Sequence, residues 1–195
     1  AAKRDPDHPT KKEALAGPYR HFVQAAIDRE MSQYTETFPA IHIFTPDDMQ
    51  CLRALDFDFS KAMSSHMDIL IKRDKVTNDF EDVKARLCVH GNQDDKYEFS
   101  DIKSPTVRAA TVKLLLSILA KRLPSGKTFT ARTFDAKGAF LQTTIAGRNA
   151  EKLKKDANFV PEAPIVIRLP DGRYGLLLAY VYGLRQASRE FQLQN

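Results

Sequence analysis

The spacing of apolar side chains predicts a helix from about Pro18 to Tyr34. Phe22, Val23, Ala26, Ile27, Met31 and Tyr34 recur there at three- and four-residue steps and form a candidate core stripe. Pro18 suits the first helical turn. Two prolines then interrupt the mixed stretch TFPAIHIFTPDDMQ. From Met67 to Val89 the period falls to two: MDILIKR and VKARLCVH predict paired strands, and KVTNDFED carries the turn between them. A polar loop from Gly91 to Lys103 leads to a second helix, with Ser104 as N-cap and Pro105 as its first residue. Val107, Thr111, Leu114, Leu115, Ile118 and Leu119 form its expected core stripe, Lys121 and Arg122 suit its last turn, and Pro124 helps to end it. TFTARTFDAKGAFL is strand-rich up to Asp135, whereas 143–163 is polar, helix-prone and expected to be a solvated insertion. PIVIRL and YGLLLAYVYGL predict two strands joined at PDGR, where Asp171-Gly172 is a strong hairpin signal. The closing REFQLQN begins an amphipathic helix. This order predicts an α+β fold, a mainly antiparallel sheet with packed helices.

Composition narrows the class without naming a function. With 195 residues, 43% hydrophobic and 28% charged, the chain has the profile of a globular protein of one domain or two small ones. No apolar run approaches the roughly 20 residues of a membrane-spanning helix, so the expectation is an intracellular protein with no membrane partner. Cys51 and Cys88 lie far apart with no CxxC, which indicates neither a zinc site nor a disulfide framework. The net charge of +5 is compatible with a polyanionic partner, and Lys72, Arg73, Lys75, Lys84, Arg86 and Lys96 fall within one stretch. The absence of an initiator Met and the break within the last helix lead to the expectation of a piece of a longer chain, or of a processed or rearranged product.

Three segments carry candidate chemistry. In FDAKGAFL, an Asp at a strand end with an aromatic five residues on is the arrangement required of the first carboxylate motif of a nucleotide polymerase. Asp135 would hold a divalent metal, the carbonyl of Ala136 would add an oxygen ligand of the kind Mg²⁺ takes, and Phe140 would lie under the sugar and exclude a 2′-hydroxyl. In VYGLRQASREF a strand meets Gly183 and then a helix carrying Arg185, Gln186 and Arg189, polar groups suited to a base pair or template phosphate. In the basic hairpin, Lys84 and Arg86 would neutralise a triphosphate. Taken singly, the first two are more often an ordinary turn cap and an ordinary strand-to-helix turn, and the third has a charged edge hairpin as its plain reading.

Their order is what counts. KARLCVHGNQ, SPTVRAATVKLLL, DAKGAFLQ and YGLRQASREF follow one another as K-A-R-L-V-A-R-G, S-P-V-V-R-x-x-T, D-V-K-T-A-F-L and Y-G-L-K-Q-A-P-R-x-W do in reverse transcriptases of copia-type LTR retrotransposons. DPDHPTKKEAL…AIDREMSQY is similar to that family's lead-in, and IVIRLPDG to its short strand and turn, so the resemblance runs from about Asp5 to Phe191. It implies an N-terminal extension over 1–17, a fingers-like region over 18–127 and a partial palm over 128–195. It further implies Asp135 as catalytic metal ligand with Mg²⁺ as cofactor, its binding expected to be weak or absent in this chain alone, and Phe140, Lys84, Arg86 and Ala136 around the nucleotide. Gly183, Arg185 and Gln186 would back the base pair, with an RNA/DNA primer-template as partner.

The sequence departs from the pattern in places. Gly138 stands for Thr, Ser188 for Pro, Phe191 for Trp and His90 for the Arg of A-R-G. No Tyr-x-Asp-Asp follows YGLRQ within these residues, and Asp56, Asp58, Asp101 and Asp171 are not spaced to replace it. Two metals need more carboxylates than Asp135 provides, so this chain is expected to be inactive alone. It would then need the C-terminal half, or a protein partner, to cover the open palm. A host-retained, non-catalytic structural or nucleic-acid-binding subunit is the alternative expectation, and an unrelated α+β domain with a basic face a third.

Overall fold

The computed structural model describes residues 5–93, 108–121, 130, 132, 136–158, 160–161 and 163–194. Asp135 and the strand expected to end there, the Ser104-Pro105 helix start and Lys96 lie outside them.

Helix α1 (Lys11–Ala16) starts at Thr10, which forms a capping box with Glu13. Helix α2 (Arg20–Ser32) continues through a wider turn (Gln33–Thr37) and buries Val23, Ala26, Ile27 and Tyr34. Phe22, expected in that stripe, is 55% exposed. It sits on the shoulder of the buried face, where its ring meets Phe80 at 4.9 Å. Strand β1 (Ile41–Ile43) precedes α3 (Pro46–Ala54), which is capped by Thr45 and Asp48.

Strands β2 (Met63–Arg73) and β3 (Phe80–Val89) form the predicted hairpin, with His66 opposite Cys88 and Asp68 opposite Arg86. Its turn is set by Asp74, whose Oδ1 accepts from the N–H groups of Val76 and Thr77, both at 2.8 Å. The period of two buries Met67, Ile69, Ile71, Val83, Ala85, Leu87 and Val89 and turns Lys84 and Arg86 outward. Strands β4 (Val166–Arg168) and β5 (Tyr174–Leu177) pair across the Asp171-Gly172 turn.

Among the described residues five strands lie in the order β1-β5-β4-β2-β3. Three pairings are antiparallel, while β2 meets β4 in parallel at Met63 and Ser64 only. The architecture is a mixed α and β fold, of the α+β kind, with one core from Ala14 to Ala187.

Three expectations need correction. The second strand of the C-terminal hairpin ends at Leu177, because the N–H groups of Leu178 and Ala179 both turn to the carbonyl of Ala40. The insertion folds as α5 (Ile145–Lys155), and it is not wholly solvated. Arg148, 5% exposed, pairs with Glu151 and with Glu190 at 2.8 Å, and Glu190 is 3% exposed on α6 (Ala187–Gln194). Finally, α4 (Ala109–Leu119) keeps Leu114, Leu115 and Ile118 exposed where a core stripe was expected. Helical spacing puts apolar residues on a shared face but does not supply the surface that covers it.

Two distant segments touch backbone to backbone where β3 ends. Val89 N–H donates to the carbonyl of Tyr182 at 2.9 Å. Gly183 has φ +93°, and a Cβ there would come within 2.0 Å of the Val89 carbonyl oxygen; one on Gly91 would come within 2.3 Å of the Gly183 oxygen. Gly183→Ala therefore combines left-handed strain with a backbone clash. We expect a loss of about 2–4 kcal/mol, read as a lower urea midpoint with little change in slope.

Candidate functional site

A cleft of about 240 Å³ opens between α2 and the outer edge of β3. Helix α2 and its continuing turn contribute Arg29, Glu30 and Tyr34; β3 contributes Asp82, Lys84 and Arg86; the turn at 137–142 contributes Gly138 and Leu141; and Tyr182 closes the far side. The residues expected to meet a triphosphate thus share one cavity with the segment after Asp135 and with the residue before Gly183.

Antiparallel alternation points the N–H groups of Val83, Ala85, Leu87 and Val89 away from β2. Leu87 donates to the Glu30 carboxylate at 3.1 Å and Val89 to the Tyr182 carbonyl, while Val83 and Ala85 line the cleft. Glu30 also accepts from the Tyr34 hydroxyl at 3.1 Å, so its charge is already spent on hydrogen bonds at the cleft floor. Arg29, Lys84 and Arg86 are exposed at the rim, and none is ion-paired with another described residue. Three cations against Asp82 and an engaged Glu30 leave the rim positive, the sign an anionic ligand requires.

Aromatic contacts fix the other wall. The Arg86 guanidinium lies 5.9 Å from the centroid of the Tyr182 ring, within cation–π range. Tyr182 meets Phe140 edge-on at 5.1 Å, and Phe140 meets Phe191 at 6.1 Å. Gly138 precedes this turn at φ +60°, and a Cβ there would lie 2.8 Å from the Phe38 ring, so the Thr of the resembled motif would be strained at this position.

Among the other candidates, Ala136 is exposed and Asp135 lies outside the described residues. Arg185 is half-buried, with Nη2 donating to the Asn92 carbonyl at 3.4 Å. Gln186 is buried, and its Nε2 has no hydrogen-bond partner among the described residues, so its side chain packs inside the fold rather than on the surface. The DFD pair is exposed, with Asp58 capping a short turn through Ser60. Among the described residues no group of three or more His, Cys, Asp or Glu is placed to hold a metal ion. The Mg²⁺ expectation rests on Asp135 with the Ala136 carbonyl, and the described donors do not by themselves make such a site.

Sequence reasoning missed Tyr182, Arg29, Glu30 and Tyr34. Tyr182 stood inside the quoted YGLRQASREF without being given a role; the others lay on α2 and its continuing turn, where they were read only for helical spacing and as part of the lead-in. In comparison with known proteins, no family model, no curated protein and no solved structure matches this chain. No helix among the described residues is long and apolar enough to cross a membrane.

Burial, reinforced by the neighbouring Glu30 charge, pushes the Tyr34 phenol far above its usual range. An unfolded Tyr ionises near pH 10, so above that pH the unfolded chain sheds a proton that the native one keeps. The stability held below pH 10 is lost as the pH rises beyond it. Tyr34→Phe should therefore be the less stable protein at neutral pH, through its lost hydrogen bond. The gap in urea midpoint should narrow steadily between about pH 9 and 11; a constant gap would contradict the assignment.

Proposed function

We propose that this chain is the fingers and opening palm of an RNA-directed DNA polymerase of the copia-type LTR retrotransposon class. The supporting observation is the shared cleft: the basic hairpin, the turn after Asp135 and the segment at Tyr182 are dispersed in sequence yet line one cavity. In this reading Lys84 and Arg86 offset the charge of a nucleoside triphosphate, and the N–H groups of Val83 and Ala85 add donors along the same wall. Phe140, which meets Tyr182 and Phe191 edge-on beside the cleft, would turn its ring to the sugar. Asp135 and the Ala136 carbonyl would hold Mg²⁺, which neutralises charge on the phosphoryl group when bound. Gly183 holds the base-pair-backing segment against β3 by its close backbone approach. Arg185, anchored to Asn92, faces the primer-template side.

These 195 residues contain no Tyr-x-Asp-Asp. The polypeptide is therefore expected to bind nucleotide and primer-template without extending a primer.

Titration of a fluorescent deoxynucleoside triphosphate, with and without Mg²⁺, tests the reading. Arg86→Ala should weaken binding about tenfold or more, corresponding to one lost charge-assisted contact of about 1.5–3 kcal/mol. Phe140→Val should reduce the preference for deoxynucleotide over ribonucleotide, and primer-template binding should weaken steeply with salt. Deoxynucleotide binding that ignores both substitutions would sink the proposal. Salt-sensitive nucleic-acid binding without nucleotide binding would instead favour the non-catalytic module.

A further inference from the structure

Away from the cleft, at the base of the hairpin, two imidazoles converge. His66 on the outward face of β2 and His90 just past β3 bring Nδ1 and Nε2 to 2.7 Å, with ring centroids 4.8 Å apart and planes tilted by 38°. We propose that His66 and His90 form a two-imidazole site for a first-row transition-metal ion of the Cu²⁺ or Zn²⁺ class. The proposal is independent of the polymerase reading, and His90 is one of the positions where the chain departs from the resembled pattern.

The geometry is close to that of a chelate. Metal–nitrogen bonds of about 2.0–2.1 Å in tetrahedral array hold two nitrogens about 3.3 Å apart. The rings need part by only about 0.6 Å, and His66 is exposed and able to yield. The other nitrogen of His90 is fixed by an outer contact. Its Nδ1 lies 2.7 Å from Ser64 Oγ, and Ser64 is itself held by Gln93, whose Nε2 donates to Oγ at 2.9 Å and whose Oε1 accepts from the Ser64 N–H at 2.8 Å. With Ser64 Oγ accepting from Nδ1–H, Nε2 keeps its lone pair facing His66, the tautomer a metal-bound histidine requires. The His90 N–H donates to the Ser64 carbonyl at 2.9 Å, so backbone and side chain position the ring together.

The donor set selects the ion. Two neutral imidazoles suit Cu²⁺, Ni²⁺ and Zn²⁺ and not the oxygen-seeking Mg²⁺ or Ca²⁺. Because no third His, Cys, Asp or Glu among the described residues completes the set, water fills the remaining positions and the ion exchanges readily.

Calorimetric titration with Zn²⁺ and with Cu²⁺ near neutral pH tests the site. One ion per chain is expected, bound more tightly for Cu²⁺ than for Zn²⁺. His66→Ala and His90→Ala should each weaken binding about tenfold or more, whereas His42→Ala, whose ring is tied to Asp48, should not. Zn²⁺ should raise the Tm of the wild type and leave that of His66→Ala unmoved. Should His90→Ala fail to fold, the exposed His66 decides the matter. Unchanged affinity in His66→Ala, or no binding at millimolar ion, overturns the proposal.

Discussion

The fold turns on one backbone hydrogen bond, from the Val89 N–H to the Tyr182 carbonyl, made where Gly91 and Gly183 let two chain segments touch. It ends β3 against a segment that arrives much later in the sequence. Everything on the far wall of the cleft hangs from that contact. Tyr182 reaches the Arg86 guanidinium because its own carbonyl is tied to Val89, and Phe140 finds Tyr182 because the turn at 137–142 folds against the same corner. Two side chains as small as a methyl group at these glycines would force the segments apart and separate the basic strand from the aromatic wall.

Two carboxylates, half-buried Glu30 and buried Glu190, are used differently. Glu30 accepts from the Leu87 N–H and the Tyr34 hydroxyl, and so fastens α2 to the edge of β3. That use of a charge leaves the three cations at the rim in excess over Asp82. Glu190 instead pairs with Arg148 and Lys152, joining α5 to α6 by charge in a place where the surrounding sequence is mostly polar. A buried pair of this kind adds little net stability over an apolar contact, but removing one partner strands the other. It serves best as a specifier of how these two helices lie.

Much of the architecture could be read from the sequence, for physical reasons that differ by element. The β2–β3 hairpin was legible because a period of two with one buried face leaves a single register that hides Met67, Ile69 and Leu87 together. The Asp171-Gly172 turn was legible because few dipeptides suit a tight reversal. The exposure of α4 was not, since periodicity cannot say whether a partner surface exists. Nor was the end of β5 at Leu177, which depends on the Ala40 carbonyl from a remote segment. Of the cleft, Lys84 and Arg86 were legible through the motifs, whereas Phe140, also named there, does not line it and stands against Tyr182. Arg29, Glu30 and Tyr34 entered it only through the packing of α2 on β3, and Gly138 found a reason only when Phe38 came to lie against it.

The hairpin is supported at both ends. At its base β2 is joined to β4 at Met63 and Ser64; at its tip Arg73 is paired with Asp7 at 2.8 Å, Ile71 donates to the Asp7 carbonyl, and Phe80 stacks on Tyr19 at 4.3 Å. Eleven residues of β2 make a span of about 36 Å. A beam pinned at two points bends at mid-span but does not swing, and Lys84 and Arg86 sit in that middle portion. Whatever enters the cleft will be met by long side chains reaching down from a nearly stationary strand, so adaptation to ligand size falls to rotamers and not to hinge rotation.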